Sequence, residues 1–93
     1  MNVFHLENRI HPKLAVQLEP WAEVYYLRQG QILTLKQPPE LKGGYCVVFY
    51  EADAVSVVIE GEFDYPVALI DGQLAEPFND FSVYLPPLPP YGS

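Results

Sequence analysis

The stretch LEPWAEVYYL, residues 18–27, combines two glutamates with three aromatic rings. Paired carboxylates can carry out acid–base catalysis when their surroundings hold their pKa values apart. The sequence offers no group near Glu19 and Glu23 that would orient a substrate, so we interpret both as exposed glutamates of a strand edge. Tryptophan and tyrosine suit half-exposed surfaces that bind another molecule. The aromatic residues of this stretch that we assign to such a surface are Trp21, Tyr25 and Tyr26.

A second group with possible chemistry consists of His5, Glu7 and His11. On a strand, His5 and Glu7 share a face because side chains repeat every two residues. Catalytic zinc needs three protein ligands and an open position, so His11 completes the set only if the following turn folds back over the sheet. A cupin-like metal-dependent enzyme is therefore a further alternative. We interpret the three residues as ordinary polar residues of an edge strand, and we expect no metal and no cofactor.

Patterns typical of nucleophilic catalysis are missing from the sequence. Ser56 and Ser82 lie within strand patterns and have no glycine elbow. Cys46, the only cysteine, sits in an apolar strand without a charge to lower its pKa, which predicts a buried, inert thiol. Gly43-Gly44 is not followed by a helix or by Lys-Ser/Thr, so it is not a phosphate loop. We predict a protein that is not an enzyme.

The charge distribution predicts the kind of partner. Net charge is −7, and residues 43–93 hold eight acids with no lysine or arginine. Without a basic stripe, direct nucleic-acid binding is not expected. An acidic surface suits a basic protein, so we predict a protein-binding domain; a regulator or inhibitor is the specific form of this prediction. A small-molecule or carbohydrate-binding domain using the same aromatic rings is the alternative. The remaining residues assigned to the interaction surface are Glu60, Glu62, Asp64, Tyr84 and Tyr91.

The elements that position these residues are predicted to be strands throughout. Leu14, Val16 and Leu18 alternate with polar or small residues, which indicates a strand with one buried face. Asp71-Gly72 predicts a tight hairpin turn. The turn spacing gives about seven or eight short strands, as in sandwiches and barrels. We therefore predict an all-β fold, a small antiparallel β-sandwich, with a barrel as second choice.

Four local features make more detailed predictions. Residues 45–51 are apolar on both faces, which predicts a central strand covered on both sides. Gln29-Gly30 predicts a hairpin between the strands on either side. Pro20 has no N–H to donate, so it should separate two strands, and Pro66 should lead an edge strand.

The chain divides into a β-domain, residues 1–79, and a proline-rich tail, residues 80–93. The tail has the P-x-x-P spacing of SH3 ligands but no flanking basic residue, which disfavours that function. Its alternating Phe81, Val83 and Leu85 predict docking on the body or on a dimer mate. A charged fraction of only 18% also favours a homodimer that shares apolar surface. No membrane span and no signal peptide are found, so we expect a cytoplasmic protein.

The central motif resembles a group of small uncharacterised bacterial proteins that read N-x-x…L-x-L-E-P-W-x-E-x-Y-x-L-x-x-G. The resemblance covers roughly residues 6–35. Ala22 stands where the group usually has glycine, and the proline-rich tail is an addition. The resemblance implies a compact β-domain and brings no mechanism with it. The matching residues are Asn8, Val16, Leu18, Glu19, Pro20, Trp21, Glu23, Tyr25, Leu27 and Gly30.

Overall fold

The computed structural model describes residues 2–79, which form two packed four-stranded sheets. The predicted all-β sandwich is confirmed, and the described sheets do not close into a barrel. Sheet I has the strand order β1-β4-β7-β8, and sheet II has the order β3-β2-β6-β5. The strands are β1 (Asn2–Glu7), β2 (Lys13–Glu19), β3 (Glu23–Arg28), β4 (Ile32–Gln37), β5 (Gly44–Glu51), β6 (Ala54–Glu60), β7 (Val67–Ile70) and β8 (Gln73–Leu74).

The core lies between the sheets and follows the predicted alternation. In β2, Leu14, Val16 and Leu18 are all buried, whereas the residues between them are only half-buried. Strands β3, β4 and β6 contribute the other large buried side chains. Complete burial of one such side chain stabilises the fold by about 1.5–3 kcal/mol. The core residues beyond β2 are Tyr25, Leu27, Leu33, Leu35, Val55, Val57, Ile59 and Ala68.

The connection from β3 to β4 differs from the predicted hairpin. Strand β3 pairs with β2 in sheet II, whereas β4 pairs with β1 and β7 in sheet I. Buried Asn8 holds this crossing: its carbonyl accepts the Gly30 N–H, and its side chain donates to the Leu27 carbonyl at 2.8 Å. Sheet II also contains a parallel pair, β2 with β6, so the sandwich is mixed rather than wholly antiparallel. Periodicity along one strand carries no information on its pairing partner, which explains both differences.

Strand β5 is an edge strand, and the prediction of a central strand covered on both sides is wrong. Tyr45 and Val47 face inward and pack on the core. The opposite face is open, so Cys46 is exposed rather than buried, together with Val48 and Tyr50. Because edge and central strands can both be apolar on two faces, composition alone did not separate them.

The prolines and turns give a mixed outcome. Pro20 separates β2 from β3 as predicted, and the Glu19–Pro20 peptide bond is cis. Pro66 is buried, and the strand that follows it lies between β4 and β8 instead of at an edge. Asp71 and Gly72 have φ values of 51° and 82°, which confirms the tight turn between β7 and β8. No helix long and apolar enough to cross a membrane occurs among residues 2–79.

The predicted docking of the proline-rich tail lies outside the described residues, as do Tyr84 and Tyr91. The last described residues lie along the outer edge of β3. The N–H of Phe78 donates to the Val24 carbonyl at 2.5 Å, and the Asn79 side chain pairs with both backbone groups of Tyr26. The described chain therefore ends beside sheet II.

Candidate functional site: an aromatic and acidic end of the sandwich

One end of the sandwich brings aromatic and acidic side chains of two distant segments into a single surface, which we call the aromatic end. It is the end where β2, β4 and β6 finish and β3, β5 and β7 begin. The turn after β2 carries Trp21. The loop after β6, residues 61–66, lies opposite it and supplies Phe63 and Tyr65.

Three aromatic rings form the centre of this surface. The Trp21 ring centroid lies 5.6 Å from that of Phe63 and 4.8 Å from that of Tyr65. Both contacts are edge-to-face, with interplanar angles of 83° and 69°, a geometry that aromatic quadrupoles favour. Trp21 is half-buried, while Phe63 and Tyr65 remain 36% and 47% exposed. The cluster is thus held together internally and still presents ring surface to solvent.

A chain of hydroxyl and carboxylate groups extends from the rings into the core. The Tyr65 hydroxyl donates to Oε1 of Glu23 and lies 3.2 Å from the hydroxyl of buried Tyr25. Burial of the hydroxyl and then its bond to Glu23 raise the pKa of Tyr65 well above its ordinary value. Burial is also the main cause that raises the pKa of Tyr25. Both phenols are therefore neutral at physiological pH, and Tyr65 acts as a donor to the carboxylate.

The loop that carries Phe63 and Tyr65 is anchored by sheet I. Buried Gln37, the last residue of β4, accepts the Asp64 N–H at 2.8 Å and donates to the Asp64 carbonyl at 2.5 Å. A side-chain amide thereby pairs with one residue of the loop as a neighbouring strand would. Glu62 adds a second attachment, because its carboxylate accepts the Lys42 N–H at 2.9 Å.

Two glycines allow the loop to approach the chain before β5 closely. A methyl group on Gly43 would lie 2.6 Å from the Glu60 carbonyl oxygen and closer still to that of Glu62. Gly61, across this contact, has a φ of +79°. The backbones of the loop and of the chain before β5 are therefore in direct contact at this end.

The charges around the rings are mostly acidic. Glu60, Glu62 and Asp64 are exposed on the loop, and Glu23 lies half-buried beside the rings. The topology also brings Glu19 and Glu40 to this end, with Lys36 and Lys42 as its basic residues within the described chain. The opposite end holds the other basic residues, Arg9, Lys13 and Arg28. The aromatic end is therefore strongly negative, and the opposite end is nearly balanced.

The two glutamates of the central motif have separate partners. Glu19 accepts a hydrogen bond from the Gln17 side chain, and Glu23 accepts one from Tyr65. Both glutamates are half-buried rather than exposed as predicted. Glu23 begins the edge strand β3, whereas Glu19 ends β2, an inner strand of sheet II.

The candidate metal ligands do not converge. His5 and Glu7 share the exposed face of β1, as predicted, but His5 Nδ1 lies 2.9 Å from the Thr34 hydroxyl and Glu7 pairs with Arg9 at 3.2 Å. The backbone of His11 bonds to the Asn8 side chain at the start of β2. Within residues 2–79, no three His, Cys, Asp or Glu side chains are grouped so that they could hold a metal ion.

The structure brings together part of the predicted interaction surface. Trp21 and the loop acids lie at the aromatic end. Tyr25 is a core residue, only 1% exposed, so its assignment to the interaction surface is wrong, whereas Tyr26 faces outward because neighbours on a strand face opposite ways. Tyr26 lies on the outer face of sheet II, where the Lys13 ammonium is 5.9 Å from its ring centroid. Phe63, Tyr65 and Gln37 were not predicted. The alternation of acids and aromatics in EFDY, residues 62–65, was the signal for the first two.

Comparison with protein-family models, curated proteins and solved structures finds no match for this chain.

Proposed function

We propose that this chain is a non-enzymatic protein-binding domain whose aromatic end binds a basic segment of a protein partner. The observation that carries the proposal is the half-exposed cluster of Trp21, Phe63 and Tyr65, set among carboxylates. Aromatic faces and carboxylates both attract ammonium and guanidinium groups. We therefore expect the site to bind a partner surface that presents arginine or lysine side chains, and not a neutral or acidic partner surface.

The rigidity of the site also supports binding. The rings pack against each other, Tyr65 is tied to Glu23, and Gln37 holds the loop from the other sheet. Side chains that are ordered before binding lose little conformational entropy when the partner arrives. The exposed acids at the rim, Glu60 and Asp64, would speed the encounter with a basic surface, and added salt would weaken that effect. A regulatory or inhibitory protein that covers a basic surface of its target fits these properties.

Binding can be tested by fluorescence, because Trp21 is the only tryptophan and lies within the site. Titration with a short arginine- and lysine-rich peptide should give a saturable change in Trp21 emission that weakens as salt is raised. An acidic peptide of equal length serves as the ligand control. Absence of a saturable change with the basic peptide at low salt would contradict the proposal.

Two variants with the same change in net charge distinguish peptide binding at the aromatic end from attraction to the negative charge of the whole protein. The variant Glu60→Gln/Asp64→Asn removes two rim charges at the aromatic end. Glu51→Gln/Asp53→Asn removes the same charge at the opposite end. Exposed ion pairs contribute about 0.2–1 kcal/mol each, so the loss of two should weaken peptide binding about two- to thirtyfold. Equal weakening by both variants would mean that the peptide senses net charge and not this site.

A carbohydrate-binding domain is the second proposal. The exposed ring areas of Phe63 and Tyr65 support it, because sugars stack on aromatic faces while acids and hydroxyls accept or donate hydrogen bonds. Neutral oligosaccharides should then change Trp21 emission with little dependence on salt. That salt response distinguishes the second proposal from the first.

A further inference from the structure

Of the four edge strands, β1 and β5 have an outer side to which no backbone group of residues 2–79 bonds, and β5, with eight residues against six, is the longer of the two. The edge of β3 is occupied: Phe78 and Asn79 bond to Val24 and Tyr26, and the Gln31 side chain accepts the Arg28 N–H. Strand β8 has only two residues. Strand β5 has eight residues and pairs only with β6, and no residue among 2–79 bonds to the backbone on its other side.

Before the register shift that follows Phe49, the β5 edge also lacks the features by which proteins usually keep edges from pairing. Natural edge strands carry lysine, proline or inward charges, or they are short. Residues 44–50 (GYCVVFY) contain no charged residue and no proline, and the register shift lies at the far end, between Phe49 and Glu51. Val48, Phe49 and Tyr50 are 43%, 75% and 57% exposed. An open apolar edge of this length favours a strand partner.

We propose that two copies of this chain pair antiparallel along β5, which joins their second sheets into one continuous eight-stranded sheet. The occupant is argued from charge and symmetry. A net charge of −7 opposes contact between two copies at acidic surfaces, but residues 44–50 carry no charge. A two-fold axis gives each free N–H and C=O of the edge the same edge of the second copy as its partner. This inference is independent of the aromatic end, which the pairing leaves open.

The pleat restricts the register of the pair. Opposed residues must lie on the same face of a continuous sheet, because side chains alternate from face to face. Overlap of residues 45–49, which precede the register shift, satisfies this condition with Val47 on the two-fold axis and Cys46 opposite the second copy's Val48. From the rise per residue and the strand spacing, the two Cys46 Cα atoms would then be about 8 Å apart. A short bismaleimide should therefore link two copies through their only cysteines, which are exposed.

The test is sedimentation equilibrium of the full 93-residue chain with a matched pair of variants. Val48→Lys places a charge on the paired edge and should raise the dimer dissociation constant at least tenfold and abolish the cross-link. Val67→Lys is the control, because Val67 is similarly exposed, at 49%, but lies in sheet I. Circular dichroism would check that both variants are folded. A monomeric wild-type chain at submillimolar concentration, or equal loss in both variants, would overturn the proposal.

The tail is the other candidate occupant of this edge, and a third variant addresses it. In the full chain, the triple change Phe81→Ser/Val83→Ser/Leu85→Ser removes the alternating apolar residues of the tail. A dimer that survives this change but not Val48→Lys supports the proposal. Loss of the dimer in the triple variant would overturn it in favour of a swapped tail. A monomer that dimerises only in the triple variant would overturn it in favour of a tail that covers β5.

Discussion

Substitution of Gly43 by alanine tests how the aromatic end is built. The added methyl group would overlap the backbone carbonyl oxygens of Glu60 and Glu62, which belong to the chain and cannot rotate away. At the neighbouring Gly44, a methyl group would meet no atom within 4 Å. The two substitutions therefore add the same methyl group at adjacent positions, and only Gly43→Ala brings it against other atoms.

The magnitude follows from two opposing terms. Overpacking against groups that cannot move costs about 1–3 kcal/mol, and contact with two backbone oxygens places Gly43→Ala in the upper half of that range. Alanine also reduces the entropy of the unfolded chain, which stabilises either variant by about 0.4–1 kcal/mol. Because that term is common to both, the difference between them isolates the clash. We expect Gly43→Ala to be about 2–3 kcal/mol less stable than Gly44→Ala, a Tm difference of at least about 8 °C.

Urea unfolding of both variants, followed by circular dichroism and by Trp21 emission, gives this difference. Folded Gly43→Ala should also show shifted Trp21 emission, because movement of the loop displaces Phe63 from the tryptophan ring. If the two variants agree within about 0.5 kcal/mol, a typical effect of a neutral surface change, the close approach of loop and chain is not a constraint on the fold.

Two further predictions concern the same end of the molecule. Ala22 has a φ of +58°, a conformation that costs an L-residue about 1 kcal/mol or more, so Ala22→Gly should stabilise the protein by up to about 1 kcal/mol. As a control, Ala15→Gly within β2 should destabilise the protein by about 0.5–1 kcal/mol. Thermal unfolding compares the two variants, and a lower Tm for Ala22→Gly than for Ala15→Gly would contradict this prediction. The raised pKa of Tyr65 means that the unfolded chain loses its proton first, near pH 10, so stability should be unaffected below that pH and fall as pH rises further. Tyr65→Phe removes the hydrogen bond to Glu23 and should lower the free energy of unfolding by about 1 kcal/mol at neutral pH. It should also reduce the fall in the free energy of unfolding between about pH 9 and pH 11, measured by urea unfolding. An unchanged fall would show that Tyr65 does not contribute to it.

Local patterns in the sequence predicted those parts of the fold that depend on neighbouring residues. The alternation of Leu14, Val16 and Leu18 identified the buried face of β2, and Asp71-Gly72 identified a turn. Pairing between strands depends on residues far apart in the chain, so the crossing after Gly30 was predicted as a hairpin. The same limitation hid the edge position of β5 and the exposure of Cys46.

The candidate site was predicted in part for the same reason. Trp21 and Tyr25 stood out because they share one motif with two glutamates. Their partner Tyr65 lies 40 residues beyond Tyr25, and Gln37 lies 27 residues before the residue that it holds. A glutamine at a strand end has no sequence signal that separates a buried anchor from an exposed side chain.

The two hydrogen bonds between Gln37 and Asp64 join a strand of sheet I to the loop that leaves sheet II. The aromatic end therefore exists only while the two sheets are packed together. A molecule that binds there binds the native state and not the unfolded chain, so its binding free energy adds to the free energy of unfolding by mass action. At a concentration of about one hundred times its Kd, such a ligand would contribute about 2.7 kcal/mol. Thermal-shift screening of unrelated compounds can thus reveal an occupant of this site before its chemical identity is known.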